Sequence, residues 1–235
     1  MLLAVDVGNT HTVLGLFDGD DLVEHWRVAT EAHRTADEIA VLLRGLLAQR
    51  HSPAVVDGIA LCSTVPAVLH EMRDMCARYF GDLPAVIVEP GVRTGVPVLT
   101  DNPKEVGTDR VVNALAAVTL YGGPCIVVDF GTATTFDAVS AAGEYLGGAI
   151  APGIEISVEA LQSGILYGFA GQVDGVVTRM AAAIAGPDGD PDDVTVIATG
   201  GLAPLVLDEA SVVDAHEPWL TLIGLRLVFA RNAAL

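Results

Sequence analysis

The first residues that could do chemistry form a polar turn between two apolar runs, residues 2–5 and 11–17. Asp6 and the Gly-Asn-Thr sequence of residues 8–10 lie between these runs. The glycine and the asparagine tolerate the positive φ that a tight hairpin needs. Such a turn presents backbone N–H groups, a hydroxyl and an amide to phosphate oxygens, and the Asp can hold a hydrated Mg²⁺ against them. An ordinary hairpin with a surface Asp is an equally good interpretation of these residues alone.

The same pattern recurs in the second half of the chain. Residues 125–129 form an apolar run that ends in Asp129, Gly131 and Thr132 form a polar turn, and residues 136–139 are predicted to form the next strand. In both copies a further strand follows after another turn. One such hairpin is weak support for a phosphate site, whereas two copies are much stronger support. They predict two ribonuclease-H-like lobes with facing turns and a nucleotide between them.

Two further segments carry candidate residues. Asp109 and Arg110 fall near the N-terminal end of an apolar helical pattern, although Thr108 or Asp109 could simply belong to a helix cap, where Asp is common. The glycine turn of residues 199–201 is small enough for adenine or its ribose to approach the backbone. A plain strand-to-helix turn explains that segment about as well.

The elements that position these residues follow from hydrophobic periodicity. Three strands open the chain and helices alternate with strands afterwards, which describes an α/β fold around a mixed sheet. Thr35 and the Ser-Thr-Val-Pro sequence of residues 63–66 are the expected helix starts. Later helices are predicted at residues 154–161, 165–184 and 220–229.

Composition limits the functions that are plausible. The chain has 235 residues, of which 51% are hydrophobic and 18% charged, enough for a real core. Its formal net charge of −18 repels a phosphate backbone, so nucleic-acid binding is not expected. Three widely spaced cysteines indicate a reducing compartment without a disulfide framework. Neither a signal peptide nor a membrane-spanning segment is expected.

Several segments, taken together and in order, resemble the type III pantothenate kinases. They are residues 6–10, 102–110, 129–134, 147–153, 199–201 and 220–226. The Gly-x-Asp-Arg element of residues 107–110 is quite specific to that family in this context. The resemblance implies two ribonuclease-H-like lobes of the actin/hexokinase/Hsp70 ATPase type, with mixed central sheets and flanking helices. It also implies a homodimer that phosphorylates pantothenate with ATP, as the first step of coenzyme A biosynthesis.

The resemblance also assigns cofactors and residues. The cofactors are ATP with Mg²⁺ and a monovalent cation, K⁺ or NH₄⁺. Asp109 corresponds to the catalytic base, Asp129 to the ligand of the monovalent cation, and Thr132 to a residue that contacts ATP. The residues expected to bind pantothenate are Thr100, Gly107, Thr108, Asp109 and Arg110. The residues expected at the ATP phosphates are Asp6, which would also hold Mg²⁺ directly or through water, Val7, Gly8, Asn9, Thr10, His11, Thr12 and Val13.

This chain departs from the family pattern in three places. Many relatives carry Tyr where Thr100 stands, which puts that pantothenate contact in doubt, and some carry Lys where Val13 stands. The family also has a longer segment between Leu161 and Gln162, which includes a Thr that reaches the substrate of the dimer partner. Either this chain has lost the segment, or mobile residues are omitted from the sequence. Because the family pattern resumes cleanly at Gln162, the second interpretation is favoured.

The expected organisation is an N-terminal lobe of residues 1–117, closed by a C-terminal helix of residues 219–235, and a C-terminal lobe of residues 118–218. The Gly- and Ala-rich helix of residues 165–184 is expected to form a two-fold dimer interface. A cytoplasmic enzyme is expected. The alternatives are a kinase for another small hydroxylated substrate, and a catalytically weak or inactive nucleotide-binding regulator of the same fold.

Overall fold

The computed structural model describes residues 1–50, 55–153 and 162–233. The chain divides into two compact units. The first unit contains Met1–Thr94, Gly107–Val112 and Thr221–Leu235, and the second contains Gly95–Val106 and Asn113–Leu220. The lobe boundaries expected from the sequence stay a prediction. The helix expected at residues 154–161 lies outside the described residues.

The first unit is built on a five-stranded mixed sheet in the order β3-β2-β1-β4-β5. The central strand β1 pairs antiparallel with β2 and parallel with β4. Its strands are β1 (Leu2–Val7), β2 (His11–Asp18), β3 (Asp21–Ala29), β4 (Gly58–Ser63) and β5 (Ala85–Ile87). Its helices are α1 (Ala36–Arg50), α2 (Pro66–Tyr79) and α5 (Leu220–Asn232).

One face of this sheet is covered by α1 and α2. Alternate residues of β1 and β2, such as Val5 and Leu14, pack in one core with Leu43 of α1 and Met75 of α2. The start of α1 follows the sequence prediction, because the Thr35 hydroxyl accepts a hydrogen bond from the Glu38 backbone and the Glu38 carboxylate accepts one from the Thr35 backbone.

The expected side-chain cap of α2 is wrong. The residue before the first turn of α2 is Val65, which makes no side-chain capping bond. Pro66 does occupy the first turn, as predicted. The Ser63 hydroxyl instead accepts a hydrogen bond from the Val65 backbone at 3.0 Å. The serine therefore shapes the loop rather than the helix end.

The helix α5 packs against glycines of the first unit. A Cβ atom at Gly15 of β2 would lie 2.8 Å from the Leu222 side chain, and one at Gly58 of β4 would lie 2.3 Å from the Phe229 ring. A Cβ atom at Gly224 would lie 2.2 Å from the carbonyl oxygen of Val112. At Gly15 and Gly58 the neighbouring side chain would have to shift, whereas at Gly224 the neighbour is backbone, so the close packing of α5 depends most on glycine at Gly224.

The second unit repeats the first. Its strands are β6 (Cys125–Phe130), β7 (Ala133–Val139), β8 (Tyr145–Pro152), β9 (Thr195–Thr199) and β10 (Ala215–His216), and they form a sheet in the order β10-β9-β6-β7-β8. The strand β6 pairs antiparallel with β7 and parallel with β9, as β1 does with β2 and β4. The burial pattern along β6 is the same as along β1, with Asp129 and Asp6 at the equivalent partly buried position. The internal repeat predicted from the sequence is confirmed.

Two helices complete the described chain. The helix α3 (Thr108–Tyr121) begins in the first unit and continues into the second. The helix α4 (Gln162–Ala185) packs Phe169, Val173 and Val177 into a core with the second sheet. In the described part of the chain, none of the helices has the length and apolar character needed to span a bilayer.

Two glycine-to-alanine substitutions test the close packing of α5. Gly224→Ala should lower the free energy of unfolding by roughly 1–3 kcal/mol, because the new methyl group meets backbone of α3 that cannot move freely. Gly45→Ala is the matched control: Gly45 lies inside α1 with open space around it, so the substitution should stabilise the protein by about 0.5–1 kcal/mol. Urea unfolding measures both changes. A Gly224→Ala variant as stable as the wild type would contradict the packing described here.

Candidate functional site

The turn between β1 and β2 is tied to its neighbouring strands by backbone hydrogen bonds. The Gly8 N–H donates to the His11 carbonyl at 3.0 Å, and the Thr30 N–H donates to the Thr10 carbonyl at 2.9 Å. Neither Gly8 nor the residue after it has a positive φ, so that expectation from the sequence is wrong. A Cβ atom at Gly8 would lie 3.1 Å from the His11 carbonyl oxygen, so a larger residue there would crowd the backbone of the turn.

Strand register places four side chains in one row across the first sheet. Cys62 of β4 pairs with Asp6 of β1, Asp6 pairs with Val13 of β2, and Val13 pairs with Arg27 of β3. Directly opposed residues point to the same face of a sheet. The row therefore has a carboxylate near its centre, a thiol on one side of it, and an arginine two strands away on the other.

Asp6 is held by the residue beside it in this row. The Cys62 thiol is fully buried and donates a hydrogen bond to Asp6 Oδ1 at 3.2 Å. Burial and the nearby carboxylates of Asp6 and Asp109 raise the pKa of the Cys62 thiol well above its usual value. The thiol therefore stays protonated and remains a donor. No spacing in the sequence pointed to Cys62, since its role depends on the pairing of β1 with β4.

Asp109 lies in the first turn of α3, close to a glycine. Its Oδ1 atom is buried and has no hydrogen-bond partner among the described residues. A Cβ atom at Gly107 would lie 2.4 Å from this oxygen, so any other residue there would require the carboxylate to shift from this position. The Thr108 hydroxyl is likewise buried without a partner in the described chain and does not cap the helix.

The two carboxylates of the first unit disfavour each other's ionisation. Burial, and then the charge of Asp109, raise the pKa of Asp6 to about 7. Burial also raises the pKa of Asp109, while the backbone N–H and the charge of Arg110 oppose that rise. Because its pKa lies near 7, Asp6 is only partly ionised at neutral pH unless positive charge is supplied nearby.

These oxygen donors suit Mg²⁺. That ion usually keeps several waters and binds proteins through one or two carboxylates, together with the phosphates of a substrate. Among the described residues there is no cluster of three or more His, Cys, Asp or Glu side chains that could hold a metal without such help. An orphaned buried carboxylate oxygen beside a second carboxylate of raised pKa fits a hydrated Mg²⁺ brought in with phosphates.

Two glycines pack closely against the equivalent segment of the second unit. A Cβ atom at Gly153 would lie 2.0 Å from the Thr132 carbonyl oxygen, and one at Gly200 would lie 2.5 Å from Asp129 Oδ1. Gly200 also has φ of +90°, a backbone conformation that other residues rarely adopt. Asn113 of α3 is buried and donates a hydrogen bond to Asp129 Oδ2 at 3.2 Å. The glycine turn predicted to receive adenine therefore packs directly against Asp129.

The structure brings the predicted site residues together in two groups. Asp6 and Asp109 meet in the first unit, with Cys62 added by the structure. Asp129, near the end of β6, and Thr132, in the turn that follows, lie in the second unit, with Asn113 added by the structure. The spacing of Asn113 from Asp109, four residues along one helix, was a readable signal that both lie on the same helix face. Thr100 belongs to the second unit, where its hydroxyl is buried without a partner among the described residues.

The raised pKa of Asp6 makes the stability of the metal-free protein depend on pH. An Asp in the unfolded chain titrates near 3.9, whereas Asp6 in the folded chain titrates near 7. The folded state therefore holds an extra proton between these values, and the stability that this proton provides is lost as the pH rises through about 7. In EDTA, the free energy of unfolding should fall by about 1 kcal/mol from pH 6 to pH 8 through Asp6.

Asp6→Asn is the control for this measurement, because it removes the titrating group and keeps the shape. Its unfolding free energy, from urea titrations at both pH values, should lack this part of the pH dependence. Identical slopes for the wild type and the variant would contradict the assignment.

Comparison with known proteins gives the family. The family described as type III pantothenate kinase matches residues 2–163. A type III pantothenate kinase of Streptomyces avermitilis is 66% identical over 266 residues, covering 99% of this chain and 98% of that protein.

Solved structures support the fold. A conserved putative Baf family transcriptional activator from Campylobacter jejuni matches with a TM-score of 0.61, at 16% identity over 99% of this chain and 100% of that one. An inorganic polyphosphate/ATP-glucomannokinase from Arthrobacter sp. strain KM matches with a TM-score of 0.58, at 14% identity over 98% of both chains. At these identities the likeness concerns the fold alone, and it confirms the predicted actin/hexokinase/Hsp70 fold class.

The same comparison bears on the missing segment. The alignment with the Streptomyces protein runs over 266 residues, whereas this chain has 235. Gln162 follows Leu161 directly in the chain, so the interpretation that residues were omitted there is wrong. Leu161 itself lies outside the described residues. The family model matches more than half of the chain, and a 66% identical relative is covered over almost its whole length. The chain therefore belongs to the type III pantothenate kinase family.

Proposed function

We propose that this chain transfers the γ-phosphoryl group of ATP to the primary hydroxyl of pantothenate, which forms 4'-phosphopantothenate and begins coenzyme A biosynthesis. The observation that carries this proposal is the 66% identity to a type III pantothenate kinase along the whole chain. The meeting of Asp6 and Asp109 in the first unit supports it, because phosphoryl transfer needs a cation site and a proton acceptor close together.

The turn of residues 8–13 binds the ATP phosphates in this proposal, through backbone N–H groups and the side chain of Thr10. Asp6 holds Mg²⁺, directly or through water. When bound, Mg²⁺ neutralises charge on the phosphates. The hydrogen bond from Cys62 keeps the Asp6 carboxylate oriented toward the same place.

Asp109 acts as the catalytic base. A primary hydroxyl is a poor nucleophile and must lose its proton as the phosphoryl group arrives. The orphaned Oδ1 atom of Asp109 is free of protein hydrogen bonds in the described chain, so it can accept that proton. The charge of Arg110 favours the ionised form that a base requires. Because Gly107 has no side chain, the Asp109 carboxylate can occupy the space beside it.

Pantothenate carries two hydroxyls, an amide and a carboxylate, so its pocket needs several polar partners. We propose Thr100, Gly107, Thr108 and Arg110 for this role. The hydroxyls of Thr100 and Thr108 support it, since each is buried without a hydrogen-bond partner among the described residues. Buried polar groups without partners are costly, and a polar substrate would satisfy them.

The monovalent cation site and the remaining ATP contact are proposed for the turn of the second unit. Asp129 supplies the charged ligand for K⁺ or NH₄⁺, and Thr132 contacts ATP. The close approach of Gly153 to the Thr132 carbonyl and of Gly200 to the Asp129 carboxylate supports this assignment, because it restricts the positions of these oxygen atoms. Asn113 holds the second carboxylate oxygen of Asp129 in place.

A homodimer and a cytoplasmic location complete the proposal. Tyr167 of α4 and Ile150 of β8 are 62% and 66% exposed although both are large and apolar, which suits burial against a second copy of the chain. All three cysteines are free, as is usual for proteins of a reducing compartment.

Asp109→Asn tests the proposed base. The variant keeps the shape and one acceptor oxygen but loses the charge and basicity, so kcat should fall roughly 10²-fold or more while ATP still binds. The assay follows ADP release with pantothenate, and mass spectrometry identifies the phosphorylated product. Unchanged kcat in a folded variant would contradict the assignment of the base.

The same assay separates the alternatives for the wild type. Turnover with another hydroxylated acceptor but not with pantothenate would indicate a different kinase. Nucleotide binding without any turnover would indicate a regulator.

Replacing K⁺ by Na⁺ tests the role of Asp129. The wild-type rate should fall sharply, because the smaller ion leaves fixed oxygen ligands too far away. Asp129→Asn should be slow in both salts, since it removes the charge that retains the cation. Equal wild-type rates in the two salts would rule out a selective monovalent site.

A further inference from the structure

An arginine that no part of the proposed mechanism uses lies beside the phosphate-binding turn. Arg27 of β3 is opposite Val13 of β2, and Val13 is opposite Asp6 of β1. The three side chains share one face of the sheet. Neighbouring strands lie about 4.8 Å apart, so the backbones of Asp6 and Arg27 are about 10 Å apart. The row thus has a negative and a positive group on either side of a short apolar residue.

A hydrogen bond directs the Arg27 side chain toward the turn. Its Nη2 atom lies 2.8 Å from Nδ1 of His11, the first residue of β2. A guanidinium group can only donate hydrogen bonds, so Nδ1 accepts and the proton of the neutral ring is on Nε2. His11 therefore fixes the guanidinium beside the turn and keeps a second N–H group for another acceptor.

Further hydrogen bonds connect the residue after β3 to the same turn and to the start of β2. The Thr30 N–H donates to the Thr10 carbonyl at 2.9 Å, and the hydroxyls of Thr12 and Thr30 are 2.9 Å apart. These contacts fix the strand that carries Arg27 with respect to the turn. Arg27 is exposed, so a ligand over the turn can reach it. The chain has 30 acidic and only 12 basic residues, so it repels anions in general and needs local positive charge, such as that of Arg27, to bind one.

We propose that Arg27 binds the phosphate groups of the nucleotide, with His11 as the residue that positions its guanidinium. The guanidinium is always charged and matches phosphate oxygens with paired N–H groups. Phosphates over the turn would then be neutralised on one side by the cation at Asp6 and on the other by Arg27. This inference rests on the proposed function only in placing nucleotide phosphates at the turn, and it does not depend on the acceptor substrate.

Nucleotide binding without turnover tests the proposal. Calorimetry in EDTA measures the affinity for ATP and for adenosine, so neither Mg²⁺ nor the acceptor contributes. Arg27→Gln should weaken ATP binding roughly 10-fold or more and leave adenosine binding unchanged, because adenosine carries no phosphate. The ATP affinity of Arg27→Lys should lie between those of the wild type and Arg27→Gln, because lysine keeps the charge but cannot donate paired N–H groups to a phosphate. His11→Ala should weaken ATP binding less than Arg27→Gln.

Arg78→Gln is the matched control, because it removes the same charge from α2, which packs on the opposite face of the sheet. Arg78 pairs with Asp37 where both side chains are 57% exposed, so its loss costs little stability. Its ATP affinity should stay within about twofold of the wild type, which separates a local contact from a change in net charge. Thermal unfolding confirms that each variant is folded.

The outcomes distinguish this inference from the proposed function. If Arg27→Gln binds ATP as tightly as Arg78→Gln while the wild type phosphorylates pantothenate, the assignment of Arg27 is overturned and the proposed function stands. If Arg27→Gln loses ATP affinity but the wild type does not use pantothenate, the reverse holds. A wild type that binds no ATP overturns both.

Discussion

Two carboxylates that disfavour each other's ionisation are the constraint on which the rest of this structure depends. Asp6 and Asp109 lie close enough for the charge of one to raise the pKa of the other, and burial raises both. Such a pair is costly in the free protein and becomes favourable when cations arrive with phosphates. The surrounding residues can be understood from this. A thiol holds one carboxylate and a glycine makes room for the other, while an arginine lies across the sheet.

The architecture keeps these residues in place with few polar contacts. The strand β1 is buried between β2 and β4, and α5 lies on glycines of the sheet, so Asp6 extends from a rigid strand end. The residue Gly224 of α5 touches the backbone of α3 near the turn that carries Asp109. Packing of apolar helices therefore sets the position of the Asp109 carboxylate, and the second unit places Asp129 at the equivalent position of its own sheet.

The repeated strand-turn-strand pattern could be predicted from the sequence, whereas the residues that strand pairing brings next to Asp6 could not. The two Asp-containing hairpins were visible because each has an apolar run that ends in Asp and is followed by a turn with Gly and Thr, and the burial patterns along β1 and β6 are indeed the same. Cys62 and Arg27 could not be found in this way, since their proximity to Asp6 depends on strand register. The positive φ predicted for the first hairpin was also wrong. A glycine in a turn can serve either a left-handed backbone or a close backbone contact, and the residue type alone does not distinguish the two. The interpretation that residues were omitted before Gln162 was wrong. A family motif that resumes after a gap looks the same whether the intervening residues were lost or omitted.

The most direct test of the central claim counts the protons released when the cation and nucleotide bind. Calorimetry of Mg²⁺·ATP binding near pH 6.5, in buffers of different ionisation enthalpy, measures that number. If Asp6 ionises fully only with the cation present, the wild type should release roughly half to one proton more than Asp6→Asn. Equal proton release by the wild type and the variant would contradict the account, because Asp6 would then be ionised already in the free protein.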